Sequence, residues 1–177
     1  MLAKQLLMYV HAALRGGDAA ARRAGVTVGQ GCRILSLNFG SEPWLVTIGD
    51  HVTVTAGVRF ITHDGAGWLI GGRNGRHYYY APIEIGNDVF IGVNSVLLPG
   101  VRIGSRVVVG ACSLINKSVP DGVVVAGSPA RVIGSFASFA ERVDLEWKTE
   151  DSMRGTTFRQ RVESIVSRDW KPVLKRS

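Results

Sequence analysis

Aliphatic residues recur at every sixth position over one long stretch of the chain, at Ile85, Ile91, Leu97, Ile103, Val109 and Ile115, and glycine follows most of them directly. Val28 and Ile34 fit the same register, as do Ile48, Val54 and Phe60 in a second block. Four residues beyond the lead positions the residue is usually small or β-branched: Cys32, Val52, Val58, Val89, Ser95, Val101, Val107, Ser113 and Val119. A lone strand alternates with period two and a helix with period near 3.6, so neither accounts for a sustained period of six. A parallel coil does, with one short strand and one corner per hexapeptide, and with both recurring positions turned inward. Glycine after the lead, at Gly29, Gly49, Gly86, Gly92, Gly104 and Gly110, removes a side chain where chain and corner crowd each other.

Two interruptions divide the repeat. The first, near 35–46, contains Asn38-Phe39-Gly40-Ser41-Glu42-Pro43-Trp44. The second, near 65–82, contains Arg73, Arg76, His77 and Tyr78-Tyr79-Tyr80. Insertions of this length in a compact domain are commonly functional, and the aromatic content of the second argues against plain disorder. After Ile133 the hexad stops, and Phe136 to Val166 reads as helical with a break near Gly155. The apolar run Leu2 to Leu14 is interrupted by Lys4, Gln5 and His11 and is too short to span a bilayer. The expected organisation is an N-terminal helical cap over 1–25, a coil over 26–134 and a C-terminal helical extension over 135–177, the helices covering the unpaired edges of the coil.

Composition changes this picture little. A net charge of +7 favours anionic partners, but the basic residues are dispersed, with some concentration at Arg168, Lys171, Lys175 and Arg176, and no aromatic-interleaved basic motif predicts nucleic-acid binding. Cys32 and Cys112 are too few for a disulfide framework and form no metal-binding pair, which fits free thiols and a cytoplasmic location. The Leu2 to Leu14 run leaves peripheral membrane association open.

The candidate chemistry lies where the second block gives way to the long insertion, in Phe60-Ile61-Thr62-His63-Asp64-Gly65. His63 stands three after its lead, at neither inward position, and an exposed imidazole on a rigid strand suits proton transfer. Asp64 follows directly, so in extended chain it points away from the ring of its neighbour, and a turn or acceptor-contact role fits it better than that of a dyad partner.

With these residues in view, the chain resembles the hexapeptide-repeat acyltransferases over roughly Val26 to Ile133. The resemblance rests on Ile85-Gly86-Asn87-Asp88-Val89-Phe90-Ile91-Gly92, on Leu98-Pro99-Gly100-Val101-Arg102-Ile103-Gly104, and on Val109-Gly110-Ala111-Cys112-Ser113 through Val119-Pro120 to Ala126-Gly127-Ser128-Pro129-Ala130-Arg131-Val132-Ile133. It implies an all-β fold, a left-handed parallel β-helix, an exception to the usual right-handed crossover. It further implies a homotrimer with active sites between subunits, acetyl-CoA as co-substrate, no metal, and His63 as the catalytic base in a direct transfer that needs no acyl-enzyme. Family contacts to coenzyme A map onto Val93, Ala111, Asn116, Lys117 and Arg131, the first two through backbone groups and the two cations on phosphates. Two positions depart from the family pattern: Asn116 stands where threonine is common, and Cys112 replaces a glycine.

The acceptor side resembles acetyltransferases of surface-polysaccharide clusters, through the Asn38 to Pro43 segment and the His-Asp-Gly with Trp68. On this reading Asn38, Glu42, Asp64 and Trp68 contact a sugar, the aromatic ring stacking and the polar groups hydrogen-bonding hydroxyls. The expected activity is O-acetylation of a sugar in polysaccharide or glycolipid assembly. Alternatives are N-acylation of a nucleotide-linked amino sugar, a γ-type carbonic anhydrase, for which His11, His51, His63 and His77 show no closely spaced pair, and a non-catalytic scaffold.

Overall fold

The computed structural model describes residues 10–71 and 75–171. The beginning of the apolar N-terminal run, Arg73, and the basic residues Lys175 and Arg176 lie outside them. The chain separates into two units, Met1–Phe139 and Ala140–Ser177.

The first unit is built from short parallel strands on three faces. Thr27–Val28, Val46–Ile48, Ile83–Ile85 and Arg102–Ile103 stack on the first; Arg33–Ile34, Thr53–Val54, Val89–Ile91, Val107–Val109 and Val123–Ala126 on the second; Arg59–Phe60, Val96–Leu97 and Leu114–Ile115 on the third. Three hexads make one coil, so in the uninterrupted part residues eighteen apart pair: Ile85 with Ile103, Ile91 with Val109, Leu97 with Ile115. The leads from Ile34 to Ile115 are all buried, and of the second inward column only Cys32 is partly exposed. In that column Ser95 and Ser113 are buried by turning their hydroxyls back onto the carbonyls of Gly92 and Gly110, at 2.8 and 2.7 Å.

Corners obey two further rules that the hexad does not announce. At the corner after the first face, each residue two beyond the lead accepts a hydrogen bond from the backbone of the coil before it. Gln30 N–H donates to Asp50 at 2.7 Å, Asp50 N–H to Asn87 at 2.8 Å, Asn87 N–H to Ser105 at 3.0 Å, and Ser105 N–H to Asp121 at 2.8 Å. Three beyond the lead, the chain turns through the left-handed region, at His51, Gly57, Asp88, Asn94, Gly100, Arg106 and Cys112, with φ between 54° and 79°. Cys112, at φ 57°, therefore occupies a corner where a β-carbon is strained, which is the physical sense of the glycine it replaces.

The structure revises the first interruption. Ser36, Leu37 and Phe39 are buried, Phe39 packs on Phe60 with ring centroids 5.0 Å apart, and Asn38 bridges to Arg59, so this stretch completes the third face of the first coil. The irregular part is confined to the residues around the short 3-10 turn Pro43–Leu45. At the other end, the second face is closed by a strand the hexad does not predict: Arg131–Ser135 runs antiparallel to Val123–Ala126. An antiparallel return satisfies the last edge directly, a task the sequence reading assigned to helices.

Residues 10–15 are helical, and a second helix, Gly17–Ala24, lies over the first coil with Ala20 and Ala21 fully buried. Its Arg22 donates to the carbonyls of Val28 and Gly29. Helix Phe136–Glu146 runs across the division between the units. Within the second unit, helix Phe158–Glu163 starts on a capping box of Thr157 and Gln160, and Arg161 pairs with Glu150 at 2.9 Å. No helix among the described residues is long and apolar enough to cross a membrane.

Two substitutions test the corner rules by thermal unfolding. Gly92→Ala should destabilise by roughly 1–3 kcal/mol, because its β-carbon would sit 2.5 Å from the Ala111 nitrogen of the next coil. Cys112→Gly should instead stabilise by up to about 1 kcal/mol, since the backbone strain it relieves outweighs the added freedom of the unfolded chain.

Candidate active site

At the corner after Phe60 the chain does not make the left-handed turn. It stays extended through the strand His63–Asp64, which leaves the coil and pairs antiparallel with Tyr79–Tyr80, His63 opposite Tyr80 and Asp64 opposite Tyr79. His63 thus occupies the third position after a buried lead, where the same corner one coil on turns through the left-handed region at Gly100. The hairpin is held at both ends: Ala81 N–H donates to the Thr62 carbonyl at 3.0 Å, and the Tyr79 hydroxyl lies against Gly100, 3.2 Å from where a β-carbon would be.

The His63 ring is 42% exposed, and its Nδ1 lies 2.9 Å from Oε2 of Glu42, whose side chain is only 13% exposed. The same oxygen accepts the hydroxyl of Thr62 at 2.7 Å, and Thr62 itself is buried. Burial works to raise the Glu42 carboxyl, but hydrogen bonds from Thr62, Ser41 and His63, with the attraction of the imidazole, outweigh it and hold the group below its ordinary value. An ionised carboxylate can only accept, so the proton between the two groups belongs on Nδ1 and the lone pair on Nε2. Glu42, expected among the acceptor contacts, is thereby brought to the back of the imidazole. Its partner lies twenty-one positions away across an irregular turn, so no local spacing announces the pair.

Asp64 points away from this pair. Its Oδ1 accepts the N–H of Ala66 at 2.8 Å and starts the turn into Ala66–Leu69. Asn38 contributes its backbone to the third face, its carbonyl accepting the N–H of Phe60, and the residue is exposed. Trp68 is 70% exposed on the insertion, and the Arg76 guanidinium lies over it at 5.3 Å and over Tyr78 at 5.1 Å. Tyr78 stacks with Tyr80 at 6.0 Å, and Tyr80 meets His63 at 5.5 Å.

The five residues matched to the coenzyme fall into two groups. Val93 and Ala111 occupy the corner after the second face, one coil apart. The Ala56 carbonyl accepts from Asn94 and the Val93 carbonyl from Cys112, whereas among the described residues no N–H donates to the carbonyl of Ala111, the next step. Asn116, Lys117 and Arg131 line a shallow pocket of about 290 Å³ with Pro120 and Ala130. Asn116 and Lys117 share the corner after the third face with His63, two coils on, a rise of about 10 Å at ordinary strand spacing. Val93 and Ala111 stand on a different edge. Among the described residues no group of three His, Cys, Asp or Glu side chains is placed to hold a metal ion.

Comparison with known proteins agrees with this architecture. The family model described as bacterial transferase hexapeptide (six repeats) matches residues 82–117. Protein CapG of Staphylococcus aureus is 49% identical over 125 residues, covering 69% of this chain and 73% of its own. Galactoside O-acetyltransferase of Escherichia coli (strain K12) is 41% identical over 92 residues, 52% of this chain and 45% of its own, so the match spans less than half of that enzyme. A solved galactoside acetyltransferase in complex with coenzyme A superposes with a TM-score of 0.58 at 25% identity, covering 84% of this chain and 85% of that one. Repeat, three-faced coil and relatives converge, and the chain belongs to the hexapeptide-repeat acetyltransferase family.

Proposed function

We propose that the protein is an acetyl-CoA-dependent O-acetyltransferase acting on a saccharide hydroxyl, with His63 as general base. The observation that carries this reading is the His63–Glu42 contact: the carboxylate occupies Nδ1 and fixes the tautomer, leaving Nε2 as the acceptor at an exposed ring. The acceptor hydroxyl gives its proton to Nε2 as its oxygen attacks the thioester carbonyl, and the imidazolium returns that proton to the departing thiolate. Glu42 stabilises the imidazolium without itself taking the proton, as its low-lying pKa requires.

Coenzyme A fits the residues present. Lys117 and Arg131 beside their pocket suit its phosphates, and the Ala111 carbonyl suits an amide N–H of the pantetheine arm. One protomer nevertheless carries Val93 and Ala111 on an edge other than that of His63. This supports a homotrimer of left-handed coils in which the base of one copy works against the donor wall of the next. Polysaccharide or glycolipid assembly in the cytoplasm, where acetyl-CoA is made, is the setting that fits a sugar acceptor.

His63→Ala should abolish transfer while coenzyme A binding, measured by calorimetry, persists; undiminished transfer would defeat the mechanism. A screen of hydroxyl and amino sugars for release of free coenzyme A thiol should register the hydroxyl series, and release with amino sugars alone would assign N-acylation instead. Glu42→Gln should lower kcat by about 10²-fold or more with little change in the KM for acetyl-CoA. Because the folded-state pKa of Glu42 is depressed, its stabilising contribution is present above its ordinary value of 4.5 and is lost as pH falls through the lower folded value. The stability gap between wild type and Glu42→Gln should therefore narrow on acidification below about pH 4.5, as followed by denaturant titration. Sedimentation should give three times the 19.1 kDa chain mass. Subunits carrying His63→Ala mixed with subunits carrying Ala111→Trp, each inactive alone, should regain activity on reassembly.

A further inference from the structure

The second insertion carries a run of ring contacts that starts at the base and ends in a cation. His63 meets Tyr80, Tyr80 stacks with Tyr78, and the Arg76 guanidinium lies over both Tyr78 and Trp68. Tyr80 is the register partner of His63, so Tyr78, two residues on, lies on the same face of the hairpin as the base. Arg76 also reaches back toward the start of the loop, with Nη2 3.5 Å from where a β-carbon on Gly65 would stand. All of these side chains except the half-buried His63 are exposed.

Among the described residues Arg76 enters no ion pair. The nearest acidic groups along the chain are already engaged: Glu84 with Arg102, Asp64 with the backbone of Ala66 and Asp88 with His51, while Glu42 beside the base is held by Thr62 and His63. The guanidinium lies over two rings and, among the described residues, makes no hydrogen bond, so its N–H donors are available to bind a carboxylate or phosphate in a planar fork. The rings supply flat surfaces on which a pyranose can lie, and the cation stands at the far end from the reacting hydroxyl.

Building on the saccharide reading of the same site, we propose that Arg76 is a specificity-determining contact for an anionic group on the acceptor, a carboxylate or a phosphate, and that the natural acceptor is an acidic saccharide. Tyr78, Tyr80 and Trp68 carry the sugar between that group and His63. The charge on Arg76 selects the acceptor; the rings set its distance from Nε2.

The test uses the full-length protein with acetyl-CoA and three acceptors that differ only at C6: methyl glucoside, methyl glucuronide and methyl glucoside 6-phosphate, with the galacto series in parallel. Wild type should favour an acidic acceptor over the neutral one by at least about 10-fold in kcat/KM, mostly through KM, and which acidic arm wins separates carboxylate from phosphate. Arg76→Gln should bring that ratio close to one, and Arg76→Lys should restore only part of it, with melting temperatures checked for both. Equal use of neutral and acidic acceptors by wild type overturns the proposal, and so does a preference that survives Arg76→Gln. If no saccharide is acetylated, the saccharide-transfer reading fails on its own. Saturation-transfer NMR with the same compounds then decides this one: binding of an acidic probe that Arg76→Gln abolishes supports it, and absence of such binding overturns it.

Discussion

The structure depends on the distance of closest approach between successive coils. At Gly49, Gly86, Gly92 and Gly104 an added β-carbon would fall within 3 Å of backbone atoms in the neighbouring coil. Backbone contact this close makes the stack dry and regular. It aligns the inter-coil hydrogen bonds, brings the buried leads into columns, and lets each corner residue of the Asp50, Asn87, Ser105 and Asp121 series reach the backbone of the coil before it. Each coil can bury its apolar side chains only because its neighbours are stacked on it, so stability accrues along the axis.

That rigidity gives the departure at Phe60 its chemical meaning. A fully buried lead and a buried Thr62 fix the backbone up to the point where it leaves the coil, and His63 is the first side chain beyond. Glu42 comes in from the preceding coil and is itself anchored by Thr62, so imidazole and carboxylate are referred to the same stacked frame. The ring is thus restrained from behind by a charged hydrogen bond and is open in front. This is the geometry a general base needs, and no mobile element is required to hold it.

On the proposed function, donor and acceptor demands are divided between the regular and the irregular parts of the chain. The residues matched to the coenzyme lie on corners of the last coils or on the strand that closes them, where carbonyls and cations are presented at repeat spacing. The surface proposed for the acceptor is aromatic and lies on an insertion that obeys no repeat. A scaffold of this kind can keep one donor while changing its acceptor, because altering the insertion disturbs no inter-coil contact.

Much of this was legible in the sequence. The hexad identified the inward columns and the crowding at the glycines, because period, burial and close approach are local consequences of stacking identical units. His63 was legible as the residue at the break, and strand alternation alone turned Asp64 away from its ring. What sequence could not supply was whatever depends on how far the chain travels between coils. Phe39 completes a face one position out of register, because the first coil takes twenty residues from Val28 to its partner Ile48 where a regular coil takes eighteen, as from Ile85 to Ile103. Arg131–Ser135 returns antiparallel, which no parallel repeat foretells. Glu42 meets His63 across twenty-one residues and an irregular turn, and Arg76 meets Trp68 within the insertion. The sequence by itself determined the scaffold, since every coil repeats the same short-range constraints. Only the tertiary structure decided the partners of His63, since these come from segments whose path is set by packing and not by period.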